Sequence, residues 1–288
     1  MEVESMQTTL YMLHQQSNFQ MMSFIIQTSE GKLIVIDGGM PMDGDHLVDT
    51  LIQLGGPQPT VDMWILTHPH VDHIGALLDI FSKPHPLKIK KIYSHFWSYD
   101  FYMCDVPYAG DFELDSETLK GFAKLQEQYP DLFAPLEKGQ HFHFDSVDIF
   151  MLHVPQEPIP VNKINNSSVV FRVDCEGQRL LFLGDLGEEG GDLVLETVPH
   201  QELKSDFVQM AHHGQNGVKK NFYEVVEPKA CLWNTPDWLW NNDLGDGYGT
   251  GPFHTIEVQE WMNELGVTHH FIDKDGAHII PLPYPLNK

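Results

Sequence analysis

No run of eighteen or more apolar residues occurs in the sequence, so nothing in it reads as a membrane-spanning helix. Cysteine is scarce: Cys104, Cys175 and Cys231 are an odd number at wide spacings, which excludes a disulfide framework and a thiolate zinc knuckle. Bases are scarce too, with 17 Lys and Arg against 41 Asp and Glu and a formal net charge of −24. A surface of that sign repels phosphate backbones, so general nucleic-acid binding is disfavoured. The start, Met1-Glu2-Val3-Glu4-Ser5, carries acids where a secretory signal carries bases, and no apolar h-region follows. The expected compartment is the cytoplasm, with no membrane partner. There is no low-complexity segment, Ser/Gly linker or long run of like charge, which makes one continuous domain over residues 1–288 the simplest organisation.

What the sequence does have is ordinary apolar content, 42%, and an unusual number of histidines, 17. It also carries a faint internal duplication, with halves of approximately 1–150 and 151–288. Each half has an apolar run ending in acid and glycine, then a helix, then a second apolar run ending in histidine. In the first, Leu33-Ile34-Val35-Ile36 leads into Asp37-Gly38-Gly39, and Met63-Trp64-Ile65-Leu66 into Thr67-His68. In the second, Leu180-Leu181-Phe182-Leu183 leads into Gly184-Asp185, and residues 207 to 211 into His212. Short, wholly apolar runs read as strands covered on both faces, so helices should sandwich the sheets. The expected fold is α/β, and the two ββα-like halves should bring Asp37, His68, Asp185 and His212 together.

Hairpins are expected at 24–28 with 33–36, and at 169–173 with 180–183, each turning at a glycine. The spacing predicts helices over Asp45 to Leu54, Ile74 to Phe81, about Ser116 to Tyr129 with Asp115 or Ser116 as cap, and Ile256 to Leu265 ending at Gly266.

The chemistry concentrates in His68-Pro69-His70-Val71-Asp72-His73. Four ligand-type side chains within six residues, after an apolar strand and before a helix, can surround cations from a tight loop. His68 and His70, two apart in an extended loop, suit one metal, while Asp72 and His73 at the helix entrance suit a neighbouring one. Two such cations, zinc or manganese with iron also open, would share a water and lower its pKa towards neutrality. His95 and His153 could face the cleft but read as core or surface histidines. His14, His46, His85, His141, His143 and His200 have no metal-like context.

The cluster at 68 to 73 resembles the His-x-His-x-Asp-His motif of the metallo-β-lactamase superfamily. Asp37 with Gly38-Gly39 resembles the family's first motif, Gly184-Asp185 its fourth and His212-His213-Gly214 its fifth. More narrowly, residues 66 to 75, Asn165-Asn166-Ser167-Ser168-Val169-Val170, Leu183-Gly184-Asp185, His212-His213-Gly214 and Asp273-Lys274-Asp275-Gly276-Ala277 resemble the hydrolase domain of the ComEC competence proteins. The matches run from about residue 20 to 281. The resemblance implies a four-layer αββα sandwich and a metal-dependent hydrolase in which Asp185 bridges two metals.

The ligand set so expected is His68, His70, Asp72, His73, Asp185 and His212. Asp72, Asp185 and His213 are the expected catalytic residues, with His213 as a substrate contact or as support to a ligand. Asp37 is expected to orient a metal-bound histidine, or else to stabilise the Gly38-Gly39 turn. The family's third-motif histidine is missing, since Ile164 to Ser168 stands in its place. The first metal should therefore be held more weakly, with Asn165 or a residue from elsewhere completing its shell; Ser168 is a further candidate at the same site. The ComEC channel domain has no counterpart here, so DNA uptake does not carry over.

Aromatic residues of 93–112 and 233–254 could form loops over a cleft or simply pack the loops, and His254 or Tyr248 could protonate a leaving group. The expected reaction is attack by a metal-bridging hydroxide on a small phosphodiester, such as a nucleotide or a choline or other head-group ester. Hydrolysis of a lactone, thioester or other carbonyl ester is the alternative, and a non-catalytic metal-binding protein is a second.

Overall fold

In a computed structural model the chain is described over residues 6–105, 108 and 110–286; the acidic start at 1–5 lies outside them. Leu33 and Val35 are buried against one set of neighbours and Ile34 and Ile36 against another, so the strand they share is covered on both faces. This two-sided burial organises the whole molecule. Strands β1 (Thr9–Met12), β2 (Ser23–Gln27), β3 (Leu33–Asp37), β4 (Thr60–Ile65), β5 (Lys88–Ile89), β6 (Ile92–Ser94) and β7 (Phe133–Pro135) enter the first sheet. Strands β8 (His141–Phe144), β9 (Val147–His153), β10 (Val170–Cys175), β11 (Gln178–Phe182), β12 (Phe207–Gln209), β13 (Ala230–Trp233) and β14 (His269–Ile272) form the second. The last strand, β15 (His278–Pro281), returns to the first sheet, whose order is β15-β1-β2-β3-β4-β6-β7 with β5 beside β4.

The inner faces meet in one core, where Phe24, Ile34, Ile36 and Ile65 pack with Met151, Phe171, Phe182 and Leu232. Phe24 and Phe182 touch edge to face, their ring centroids 5.3 Å apart. Outside the first sheet, Ile25, Val35 and Trp64 cover Leu47, Leu51, Ile74, Leu77 and Phe122 of its helices. Outside the second, Leu181, Val208 and Trp233 cover Val194, Phe222, Val258 and Met262. The result is the expected α/β sandwich of four layers, helix, sheet, sheet, helix. No helix among the described residues is long and apolar enough to cross a membrane.

Both hairpins form, β2 with β3 and β10 with β11. The predicted helices are observed at Gly44–Gly55, Val71–Ser82, Phe112–Gln128 and Thr255–Glu264. The third begins well before Ser116, capped by Asp111, whose Oδ1 accepts from Leu114 N at 3.1 Å. Its first turn exposes Phe112 and Leu114, so the apolar periodicity that marks the buried face starts only later. Asp115, read as a possible cap, instead accepts a hydrogen bond from the Tyr108 hydroxyl at 2.8 Å. Strand β12 stops at Gln209 rather than at 211, because Ala211–Gly214 turns into a 3-10 segment.

Candidate metal centre

Strands β3 and β4 run parallel, as do β11, β12 and β13, and their C-terminal ends converge on one edge of the sandwich. Carboxyl ends of parallel strands are where open α/β sheets place ligands. The His68 to His73 segment leaves β4 and turns at once into the Val71–Ser82 helix, with Asp72 and His73 in the first turn. That helix presses against the turn after β3. A Cβ on Gly75 would lie 2.5 Å from Pro41 Cδ, so only glycine allows this approach.

Two donor groups result. Asp72, His73, Asp185 and His213 offer ligand atoms within 4.8 Å of one another, and so do His68, His70 and Asp185; only Asp185 belongs to both. In the first of these, His73 Nε2 stands 3.1 Å from Asp185 Oδ1, and His213 Nε2 stands 3.1 Å from Asp72 Oδ2 and 3.6 Å from Asp185 Oδ2. In the other, His68 Nε2 lies 3.7 Å from Asp185 Oδ2 and 3.1 Å from His70 Nδ1. The distal nitrogens are fixed from behind. His73 Nδ1 contacts Asp37 Oδ2 at 2.7 Å, and His213 Nδ1 donates to the Asn234 carbonyl at 2.8 Å. Both ring orientations leave Nε2 facing the group. Asp37 is itself held by Thr67, whose backbone N–H and hydroxyl donate to it at 2.8 and 2.7 Å. Ser168 is fully buried and its Oγ accepts from Asp185 N at 3.0 Å.

Close distances here do not mean satisfied groups. His73 Nε2, Asp185 Oδ1 and His213 Nε2 are buried and none is aligned with a hydrogen-bond partner. An unpaired buried polar atom costs on the order of 1–3 kcal/mol, and three facing one another are the donor set a cation would satisfy. The residues present therefore fit a metal of the imidazole- and carboxylate-binding class.

Burial opposes a charge on His73, yet the Asp185 and Asp37 carboxylates outweigh it and hold its pKa well above the usual imidazole range. Burial, with His73 beside it, pushes His68 well below that range. For Asp72 burial acts the other way, but the close approach and charge of His213 and the charge of His73 bring its pKa down to about 2. Asp185 likewise lies well below the carboxylate range, with burial outweighed by His73, His213, His68 and His212.

The sequence expectation named His212 as the ligand and His213 as its support or a substrate contact, whereas the structure puts His213 beside Asp72 and His73. The alternation of neighbouring side chains along a strand does not decide between them, since both residues have left-handed backbone, φ 51° and 55°. His212 Nε2 lies 3.8 Å from Asp185 Oδ2 and 3.4 Å from Asn165 Nδ2, towards the other group. His254 stands apart, its side chain 55% exposed and its Nδ1 3.6 Å from Glu257, and Tyr248 is 66% exposed. His153 is buried away from both groups, and His95 lines a separate cavity with Trp97 and Phe122.

A cavity of about 470 Å³ opens beside the donors, lined by His70, Asp72, Asp185, His212, Asn165 and Lys163 among others. Tyr102, Asp105, Tyr108 and Asp111 line it from the aromatic 93–112 segment, while no residue of 233–254 does. Trp233 of that second segment packs on Trp240 instead, ring centroids 5.1 Å apart. Lys163 escaped the sequence reading. Its Nζ lies 2.7 Å from Asp105 Oδ1 with only 8% of the side chain exposed, and the partner is far away in sequence.

The family model for the Metallo-beta-lactamase superfamily matches residues 18–218. ComE operon protein 3 of Bacillus subtilis (strain 168) is 29% identical over 181 residues, 60% of this chain and 20% of that protein. The chain thus spans about a fifth of the length of that relative. Among solved structures, the metallo-beta-lactamase fold protein YhfI from Bacillus subtilis superposes with a TM-score of 0.53 at 12% identity, covering 94% of this chain and 98% of that one. CmlA, a diiron beta-hydroxylase from Streptomyces venezuelae, gives 0.55 at 12% identity, covering 96% and 54%. Unliganded yeast PDE1 gives 0.51 at 11% identity, covering 93% and 97%. At such identities the likeness is one of fold.

Proposed function

The chain belongs to the metallo-β-lactamase superfamily, and from that membership we propose that it is a metal-dependent hydrolase of a small phosphodiester. The observation that carries the reading is the buried pair of donor groups sharing Asp185 at the wall of a cavity. When bound, two divalent cations, zinc or manganese with iron as a further option, supply Lewis acidity and a water acidic enough to serve as nucleophile near neutral pH. His68, His70 and Asp185 would hold one; Asp72, His73, His213 and Asp185 the other. Asp37 keeps His73 turned towards the centre, and the Asn234 carbonyl does the same for His213.

Substrate class rests on the cavity and on the ComEC resemblance. A space of about 470 Å³ suits a small molecule, and the net charge of −24 argues against nucleic acid. Lys163 is the basic side chain in the wall, placed to receive an anionic oxygen, with Asn162 and Asn165 beside it as amide donors. Asp105, Asp111 and Asp115 line the same cavity and favour, as a second reading, a neutral carbonyl ester such as a lactone or thioester.

The test is a hydrolysis screen on metal-quantified protein. Bis(p-nitrophenyl) phosphate should be cleaved with manganese or zinc bound, and phosphomonoesters, lactones, thioesters and β-lactams more slowly. Turnover confined to the carbonyl substrates rejects the phosphodiester; bound metal with no turnover on any of them rejects the enzyme.

A further inference from the structure

The His212-His213 pair is unusual in its backbone. Two consecutive non-glycine residues hold left-handed angles, His212 at φ 51°, ψ 51° and His213 at φ 55°, ψ 23°. Such residues are strained and persist only where the surroundings demand it. The outcome of the strain is that the two rings diverge, their planes 55° apart and centroids 6.4 Å apart. His213 Nε2 faces Asp72 and Asp185. His212 lines the cavity with His70, Asn165 and Asp185.

His212 is also prepared as a ligand. Its Nδ1 is 3.2 Å from the Asn216 carbonyl, which can only accept, so the proton sits on Nδ1 and Nε2 carries the lone pair. That lone pair accepts from Asn165 Nδ2 at 3.4 Å, and Asn165 Oδ1 is left buried without a partner. Asp185 Oδ2 is almost equidistant from His68 Nε2 and His212 Nε2, at 3.7 and 3.8 Å. The same carboxylate oxygen looks onto both of them, and onto His213 Nε2 at 3.6 Å as well.

We propose that the histidine pair is divided between the two metals: His213 serves the group of Asp72 and His73, and His212 completes the group of His68 and His70. Asn165 stands where the superfamily's third-motif histidine is missing, and the neighbouring element supplies the imidazole instead. Each metal then has three side chains of its own plus the shared Asp185. His212 lies outside the tight grouping of His68, His70 and Asp185, so the division requires its ring to close in as that metal binds. This inference rests on the two-metal reading above.

Zinc titration of the chelator-stripped full chain, followed by calorimetry, tests it. His212→Asn suits the left-handed backbone, which asparagine tolerates, and removes the imidazole. Changes outside the ligand shell already cost about 10–100-fold in affinity, so one site should weaken at least tenfold while the other keeps its affinity. His213→Asn should weaken the other site. A measurement on the wild type stands independently of any variant: in the two-zinc protein, imidazole nitrogen NMR should show metal-bound shifts for His68, His70, His73, His212 and His213. A free-imidazole shift at His212, unchanged affinity at both sites in H212N, or equal weakening of both overturns the division. Fewer than two zinc ions on the wild type overturns the two-metal reading itself, and this inference with it.

Discussion

Asp185→Asn is the most informative perturbation of the centre, because Asp185 is the one side chain common to both donor groups. The substitution keeps size and shape while removing one negative charge. The consequences are unequal. The group of His68 and His70 loses its single anion, whereas the group of His73 and His213 retains Asp72. The carboxylate is 1% exposed, so solvent screens little of the lost attraction. Breaking a buried charge pair costs about 3–5 kcal/mol, which at about 1.4 kcal/mol per decade is some two to three and a half orders of magnitude in affinity. The metal beside His68 and His70 should be lost at micromolar concentrations, and the other weakened by less. Turnover on bis(p-nitrophenyl) phosphate should fall about a thousandfold or more if both cations are needed. Metal analysis after gel filtration, run beside the activity assay, reads both quantities. A variant that holds two metals as tightly as the wild type, with kcat within tenfold, would falsify the bridging role.

Two further outcomes test other parts of the molecule. Lys163→Met should raise KM for an anionic phosphodiester about tenfold, the worth of one charge-assisted hydrogen bond, while leaving kcat and the KM for a neutral ester nearly unchanged; equal effects on both substrates would remove Lys163 from anion recognition. His153 is 4% exposed, and burial, followed by the charge of Lys138, lowers its pKa to about 4. A histidine depressed in the folded state contributes stability that is present above its unfolded pKa of about 6.5 and is lost as pH falls towards 4. The difference, about 2.5 units at 1.36 kcal/mol each, is about 3 kcal/mol. Chemical denaturation at pH 7 and pH 4 should show the gap between wild type and His153→Met shifting by about that amount in favour of the variant, and a pH-independent gap would refute the assignment.

Most of the sandwich was legible in the sequence, since runs such as Leu33 to Ile36 and Leu180 to Leu183 are apolar on both faces and strands covered on both sides must look so. The cluster at 68 to 73 was legible as well, because its donors lie within one loop and one helical turn. What the sequence hid was set by geometry between distant segments. The choice between His212 and His213 turns on two left-handed residues after the strand has ended, and no spacing rule reports that. Lys163 acquires its place through Asp105, on a different part of the chain, and the start of the Phe112–Gln128 helix is masked by an exposed first turn. Asn165 was noticed only as an absence of histidine; its contact with His212 depends on two loops meeting at the sheet edge.

The return of β15 to the first sheet has a consequence for how the chain is made. A ribosome releases β1 long before β15, yet these strands are partners, with Thr9 opposite Pro281 and Met12 opposite His278. Until residues 278–281 emerge, β1 is an outer strand with a row of unpaired backbone groups, and such edges recruit other chains. A product terminated before residue 278 would leave β1 as the outer strand in place of β15, and self-association through that edge is its expected fate.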